Sequence, residues 1–495
     1  MLNIANRKEC FFDDYLIDTE KTTAEFRVHR PVRKGPVMLY DEPWEGDGCN
    51  FHNILKDGDL YRLYYLGWRT LVTSEFDIVV CYAESYDGIH WRKPNLGICE
   101  FKGSKDNNII LDSAHHTVGS GCDACNVDNF MVFIDGNPTC PANEKYKAIA
   151  LWNFMREGDE KKQTGIRLYT SADGIHFNPG DLIFDKGGFD SLNVCFWDFE
   201  ANKYRFYFRA FHEPMEGADA HGFNGKVEVR DVRYMESTDF KNWSEPVMLD
   251  FGDVEDIPLY TSVAQPYPFA PHQIIGFPSR YIERTEWTDS FEKLCGKELR
   301  RARMEYSYRF GTVITDCAFI ASHDGSHFMR HDEAFLPPDA EDGLNWLYGD
   351  GYPARGMIET KSDVEGTPNE ISMYFPNHHW TGVPAELIRY TVRMDGFTSL
   401  HAGGKEETVV TKEFTYDGEA LYINFSTSAW GEMNFTLVDA DGNRYSSTCA
   451  HFGDTNNRFI NFEDDAVAKL SGKPVHLEVR LRDADLYSIR FGAKK

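Results

Sequence analysis

The chain is written almost throughout with a period of two. In "NFHNILKDGDLYRLYYLGW" (residues 50–68) apolar and polar side chains alternate on both sides of an Asp-Gly pair, and "IVVCYAES" (78–85) adds a third alternating run. Successive side chains of a strand point to opposite faces, so this alternation predicts half-buried strands. Asp-Gly between two such runs predicts a tight turn, because glycine takes positive φ without steric cost. "NVCFWDFEANKYRFYFRAF" (193–211) and "VRYMES" (232–237) repeat the scheme. Helical periodicity is nearly absent. The exception is "TDSFEKLCGKELRRARM" (288–304), within an insertion over 284–306. There Asp289 and Glu292 form a capping signature, and Phe291, Leu294, Cys295, Leu299 and Ala302 fall at helical spacing. A short amphipathic helix on a loop is expected, serving as a rim or lid, a subunit contact or plain packing.

Two motifs interleave along these strands. "SYDGIHW" holds Asp87, "SADGIHF" Asp173, "STDFKNW" Asp239, "SHDGSHF" Asp324 and the worn copy "RMDGFTS" Asp395. Between them Asp-x-x-Asn opens at Asp47, Asp123, Asp190 and Asp342, while "DIPLYTSV" from Asp256 holds the missing place with Leu259 where Asn is due. Five units of about four strands each, without intervening helices, predict an all-β fold, a five-bladed β-propeller over residues 1–403. The early runs "CFFDDYLID" and "EFRVHRPV" are expected to complete the last blade. Residues 404–495, with "LYINFSTS", "MNFTLVDADGNRYS" and "VHLEVRLRDADLYSIRF", predict a C-terminal β-sandwich joined at Gly403 and Gly404.

Composition then narrows the partners. A formal net charge of −27 argues against nucleic acid and against an anionic membrane surface. The N-terminus has no long apolar run, so neither an export signal nor a membrane span is expected, and a cytoplasmic location is. Eleven scattered cysteines suggest a reducing compartment. Cys122 and Cys125 form one C-x-x-C without a second pair at zinc spacing, and no loop carries a calcium pattern, so neither metal nor cofactor is expected. Self-association is left open. The 36 Phe, 25 Tyr and 10 Trp suit sheet surfaces and also sugar-binding pockets.

The innermost strand of each propeller blade runs along a central channel, and residues at its start converge on one mouth. Five aspartates there would face one funnel, and like charges held close raise one another's pKa. Glycoside hydrolysis needs one protonated carboxyl and one ionised carboxylate. The competing reading is turn grammar, since Asp and Asn cap backbone N–H groups. Asp-x-x-Asn also occurs at Asp239–Asn242 and Asp454–Asn457, outside blade openings. The Asn residues are read as structural, and the Ser-x-Asp-Gly turns as chemically silent.

The stretches "EPWE", "CYAESYDGIHWRKPNLGI", "APHQIIGFPSRY", "TDCAFIASHDGSHFMRHDEAFLPP" and "RYTVRMDGFTSLHAG" carry a resemblance. With them the chain resembles the five-bladed propeller glycoside hydrolases, the superfamily of invertases, fructanases and arabinanases. It is most similar to bacterial invertase-like proteins with a C-terminal sandwich. The resemblance implies Asp47 as nucleophile or base, Asp190 as the residue orienting the sugar, and Glu255 or Asp256 as acid. The invertase motif Trp-Met-Asn-Asp-Pro-Asn-Gly, the Arg-Asp-Pro motif and the Glu-Cys motif are absent. The acid is therefore open among Glu255, Asp256, Glu213 and Glu283. Asp123 and Asp342, Trp346 beside the latter, Arg209, Arg280, His378 and His379 are candidates for substrate contacts. The expected activity is hydrolysis of a small glycoside or oligosaccharide, furanosides included. A phosphorylase would need a basic cluster, and the dense one, "KELRRARMEYSYR", lies on the insertion. A non-catalytic sugar-binding propeller is the third reading.

Overall fold

The computed structural model describes residues 1–68, 78–112, 127–154, 160–161, 163–215, 222–223 and 226–494. Five separate antiparallel sheets follow one another along the chain. Blade 1 is Asn50–Asp57, Leu60–Trp68, Ile78–Ser85 and Ile109–Asp112. Blade 2 is Met131–Ile134, Tyr146–Phe154, Gln163–Ser171 and Asn178–Phe184. Blade 3 is Val194–Asp198, Lys203–His212, Val229–Ser237 and Val247–Met248. In blade 4 the second strand is broken at Pro278, which has no N–H to donate. Ala270–Gly276 and Ser279–Glu283 both pair with Val313–Ser322, flanked by Gln265–Tyr267 and Met329–Leu336. The inner strands lie side by side around the axis: Asn53 bridges Arg355 in parallel, and the Val132 N–H donates to Asn53 Oδ1 at 2.9 Å. The fold is a five-bladed β-propeller with a C-terminal sandwich sheet.

Blade 5 is Ile358–Thr360, Glu370–Asn377 and Ala385–Arg393, and its outer strand is Val32–Tyr40 from the start of the chain. The ring is therefore closed between the two ends of the propeller sequence. The closing strand lies later than expected. Of the runs proposed for this task, the first contributes only Cys10, the end of strand Lys8–Cys10, which pairs with Val475–Gly492, and the second gives Glu25–Val28, which pairs with Thr398–Ala402 of the sandwich sheet. The burial pattern gives the reason. Ile4 and Phe11 sit in the sandwich core, while Phe12 packs against Tyr267, Phe319 and Phe397 of the propeller. The first strands thus tie two cores together.

The four Ser-Asp turns share one hydrogen-bond set. At Asp173, Oδ1 accepts from the Ile175 and His176 N–H groups at 2.9 Å each, and the Ser171 hydroxyl accepts from Gly174 N at 2.9 Å. Three of these turns also receive a tyrosine from the preceding blade. Tyr64, Tyr207 and Tyr374 donate to the carbonyls of Gly174, Gly325 and Gly88 at 2.9, 2.7 and 2.5 Å. A Cβ on Gly174 would meet the Tyr64 hydroxyl at 2.9 Å, and its φ is +76°. Glycine is thus required both for the turn and for the blade-to-blade latch. Gly174→Ala is expected to cost about 2 kcal/mol of unfolding free energy in urea, from the left-handed backbone and the displaced hydroxyl. Tyr64→Phe should cost about 1 kcal/mol.

The fifth copy behaves differently. Asp395 is fully buried and reaches into the sandwich. That sheet is organised by two long strands, Ala420–Asp439 and Val475–Gly492, whose register breaks between Thr427 and Glu432. Side chains from both sides of the break, among them Leu421, Phe425, Phe435 and Leu437, share one buried cluster. Among the described residues, no helix is long and apolar enough to cross a membrane.

Candidate functional site

At the starts of the inner strands the structure gathers buried polar groups from every blade. Asn50 Oδ1, Asn53 Nδ2, Asn129 Oδ1, Ser191 Oγ, Asn193 Oδ1, Ser262 Oγ and Arg355 Nε are buried without a hydrogen-bond partner among the described residues. Such atoms are uncommon in folded interiors, because each forfeits its hydration. The asparagines explain how they are aimed. The Asn193 Nδ2 donates to the carbonyls of Phe189 and Ser191 at 2.9 and 3.0 Å, and the Asn129 Nδ2 to Phe189 at 3.1 Å. The amide N–H groups hold the loops, and the carbonyl oxygens are left to accept.

Two carboxyls in this region are held near neutrality. Asp128 is 9% exposed, its Oδ1 accepts from Asn129 N at 2.8 Å, and its pKa is pushed up to about 7 by burial and by the charge of Asp190. Asp190 itself is exposed. Asp350 is likewise raised to about 7 by burial, against the Leu347 N–H, which donates to its Oδ2 at 2.8 Å, and the positive charge of Arg303. Asp47 is half-buried: its Oδ2 accepts from Gly382 N at 3.1 Å and its carbonyl from Trp380 N at 2.8 Å.

An aromatic belt joins these carboxylates. Trp68 and Trp380 meet edge-on at 5.1 Å, Trp380 lies 5.3 Å from Tyr348, and Tyr348 packs with Tyr281, Tyr352 and Tyr260. Arg209 sits over Tyr260 at 5.3 Å and Arg230 over Tyr281 at 3.9 Å. The charge of Asp190 reaches both Tyr260 and Tyr348, whose phenols burial pushes up. Asp47 at one end and Asp190 at the other therefore border a continuous wall.

The insertion forms part of that wall, though not as a single helix. Asp289–Lys293 and Lys297–Met304 are separate turns of helix, broken at Gly296 with φ +67°. Glu292 does not cap. Its carboxylate accepts from Trp287 Nε1, Lys297 and Arg301. The buried face of the second helix carries Arg300 and Arg303, not the expected apolar set. The reason is what it covers: Arg303 donates to the carbonyls of His379 and Trp380. Beyond it Phe310 stacks on Tyr348 at 5.6 Å, and Arg309 Nη1 donates to the Tyr281 hydroxyl at 3.1 Å. Arg303→Met is expected to unpin the His379–Trp380 loop and lower the melting temperature by several degrees, since it strands two buried carbonyls. A melting temperature unchanged within error would contradict this.

The remaining sequence candidates fall in several places. Arg209 lies on the belt. His379 is buried, stacked on Trp380 at 4.5 Å, and held neutral by burial and by Arg303. His378 stands beside it with φ +64° and its carbonyl accepting from Thr381. Asp342 caps the Leu344 and Asn345 N–H groups, and Trp346 Nε1 donates to Asp339, so both serve a turn. Arg280 forms a fork to Asp316 at 2.6 and 2.5 Å, on the strand face opposite Tyr281. Glu255 is exposed, with its carbonyl accepting from Arg330. Asp256 is bonded to His212 at 3.0 Å, and His212 in turn to Asp231 at 3.0 Å. This trio lies in a cavity of about 180 Å³ that Met248 and Phe251 also line, and Arg230 is shared between that cavity and the belt. Asp256 sits well ahead of the inner strand Gln265–Tyr267, out of register with Asp190 before Val194. Asp123, Cys122 and Cys125 lie outside the described residues.

Asp128, Asp350 and the tyrosines were not singled out by the motif. "VDNFMVF" runs directly into the inner strand Met131–Ile134, but registering the repeat on Asp-x-x-Asn places the second opening at Asp123. Glu283 is on the same strand face as Tyr281, its Oε2 3.9 Å from Arg230 and without a hydrogen-bond partner among the described residues.

No known family's sequence profile matches the chain, and no curated protein does. Solved structures do resemble it at low identity. One described as a glycoside hydrolase is 11% identical with a TM-score of 0.42, over 74% of this chain and 93% of its own. A structure from the GH130 family of mannoside phosphorylases and glycoside hydrolases is 12% identical, TM-score 0.40, over 77% and 96%. The Bombyx mori GH32 β-fructofuranosidase is 11% identical, TM-score 0.38, over 94% and 96%. At these values none transfers a residue role or a substrate, and the fold rests on the sheet topology.

Proposed function

We propose that the chain is a glycoside hydrolase acting at the funnel mouth on a small glycoside or oligosaccharide, furanosides included. The observation that carries this reading is the pair Asp128 and Asp190: a buried carboxyl held near 7 beside an exposed carboxylate whose charge helps to hold it there. Neighbouring carboxyls whose environments drive their pKa values apart are the means by which one protein supplies both acid and base. Asp128 gives its proton to the leaving oxygen. Asp190 attacks the anomeric carbon or activates a water. Around them the orphaned Asn, Ser and Arg atoms offer hydrogen bonds to hydroxyls, and Tyr260, Tyr348 and Trp380 offer flat faces to sugar rings. Asp47, Asp350 and Glu283 are assigned to hydroxyl contacts.

The test is a panel of aryl-glycosides and short oligosaccharides, each with and without inorganic phosphate. Turnover of one glycosidic class without phosphate supports the hydrolase. A strict phosphate requirement would favour a phosphorylase instead. One feature supports that second reading. Arg355 is buried at the channel, no carboxylate lies in ion-pair range among the described residues, and burial pulls its pKa down to about 10. Arg303 of the insertion and Arg309 just after it are bonded to carbonyls and to a phenol. Binding without any turnover would leave a sugar-recognition module.

A further inference from the structure

Away from the funnel, where the sandwich meets blade 4, three side chains from distant parts of the chain converge. Glu9 lies on the sandwich strand Lys8–Cys10, His272 on the blade 4 strand Ala270–Gly276, and His323 in the turn after Val313–Ser322. Their ligand atoms all lie within 4.8 Å of one another. Glu9 Oε1 is 3.1 Å from His272 Nε2, and Glu9 Oε2 is 3.2 Å from His323 Nε2. These two spacings match the roughly 3.3 Å edge of a tetrahedron with zinc-to-nitrogen bonds of about 2.0–2.1 Å.

The orientation of the groups is the stronger indication. Glu9 is 2% exposed and His272 8% exposed, yet among the described residues neither Glu9 Oε1 nor His272 Nε2 has a hydrogen-bond partner, although they face each other. Two buried polar atoms at contact distance that do not bond each other are explained when both point at a third atom between them. His323 is prepared in the way of a metal ligand. Its Nδ1 lies 2.9 Å from Asp13 Oδ2 and its Nε2 is hydrogen-bonded to Glu9 Oε2 at 3.2 Å; a metal bound at Nε2 would take the place of the proton in that second bond, with Asp13 holding the one on Nδ1. Its ring plane is fixed by Tyr15, stacked at 3.8 Å and 13°. A cavity of about 790 Å³, lined by Arg7, Asp13, Tyr15, His272 and His323, opens on the cluster and gives an approach and room for a water as fourth ligand. The nearest opposing charge is Arg7, whose Nε is 4.0 Å from Glu9 Oε1. Two carboxylates, Glu9 and Asp13, outweigh it.

We infer that Glu9, His272 and His323 form a binding site for a divalent transition metal, zinc by its nitrogen and oxygen donor set, which clasps the sandwich to blade 4. The donors come from three remote stretches, so no spacing motif announces them. The site shares no residue with the proposed chemistry and does not depend on it.

The test uses the full-length chain, stripped with a chelator and dialysed. Titration with zinc alone is expected to show one equivalent bound, with a saturable rise in melting temperature. Cobalt(II) in its place is expected to give the visible absorption of a tetrahedral nitrogen and oxygen site. His272→Gln and His323→Gln should each lower affinity at least tenfold, while His176→Gln, on an exposed turn, should not. The proposal is overturned if the stripped chain binds neither zinc nor cobalt at micromolar metal, or if binding survives in both cluster variants. Should the variants fail to fold, the cobalt spectrum of the parent chain decides: an octahedral spectrum, or none, overturns it.

Discussion

Asp128→Asn and Asp190→Asn are each expected to leave the chain folded and to cut glycoside turnover by at least about a thousandfold, within the range that acid–base and nucleophilic groups contribute. The first variant should also change stability. An aspartate in the unfolded chain ionises near 3.8, whereas Asp128 in the fold ionises at about 7. Between those values the folded state holds a proton that the unfolded state has released, so stability falls as pH rises from about 4 to 7 and is level above that. Asn carries no such proton. Asp128→Asn should therefore gain stability over the parent, on the order of a few kcal/mol in urea at pH 8 and much less at pH 5. A variant inactive yet more stable at pH 8 is the signature of a carboxyl kept for chemistry at the expense of the fold. Full turnover in Asp128→Asn, or stability that tracks the parent at both pH values, would remove Asp128 from the acid role.

Asp395→Ala is expected to be the most damaging single change outside the funnel. The carboxylate is fully buried and accepts from four donors: Lys8 Nζ at 3.0 Å, Tyr267 hydroxyl at 2.7 Å, Ser488 hydroxyl at 2.8 Å and Asn424 Nδ2 at 3.2 Å. Tyr267 belongs to blade 4, and the other three to the sandwich sheet. Alanine leaves Lys8 and three polar groups without their acceptor at the junction of two cores. Breaking a buried charge pair in this way costs about 3–5 kcal/mol. The φ of +58° at this position adds strain that alanine tolerates less well than Asp. Urea unfolding should show the loss, and Asp395→Asn, which keeps two acceptor lone pairs and tolerates the backbone, should recover part of it. A loss below about 1 kcal/mol for the alanine variant would mean that the junction is held elsewhere.

These two residues mark how far a linear reading reaches. Asp395 was legible as the last copy of a turn motif, and its place in the repeat is right. Its task changed because the sandwich strand with Ser488 and the early strand with Lys8 come to rest against it. Asp128 was passed over because Asp-x-x-Asn recurs five residues earlier, and turn grammar is dense in this chain. The closing strand Val32–Tyr40 was placed slightly early for a related reason: every run before residue 40 alternates, and alternation does not name a partner. Arg300 and Arg303 lie outside the apolar set expected for this helix, yet they are its buried residues, because nothing in the helix itself reveals that it covers backbone carbonyls.

Local pattern settled the strands, their turns, the number of blades and the all-β class, since each depends on side-chain alternation and glycine φ within a few residues. Which carboxyls meet, which arginines are buried and which strand ends join blade to sandwich were decided by closure of the ring. Burial and the field of neighbouring charges are properties of groups remote in the chain, and no stretch of residues contains them until the sheets have packed.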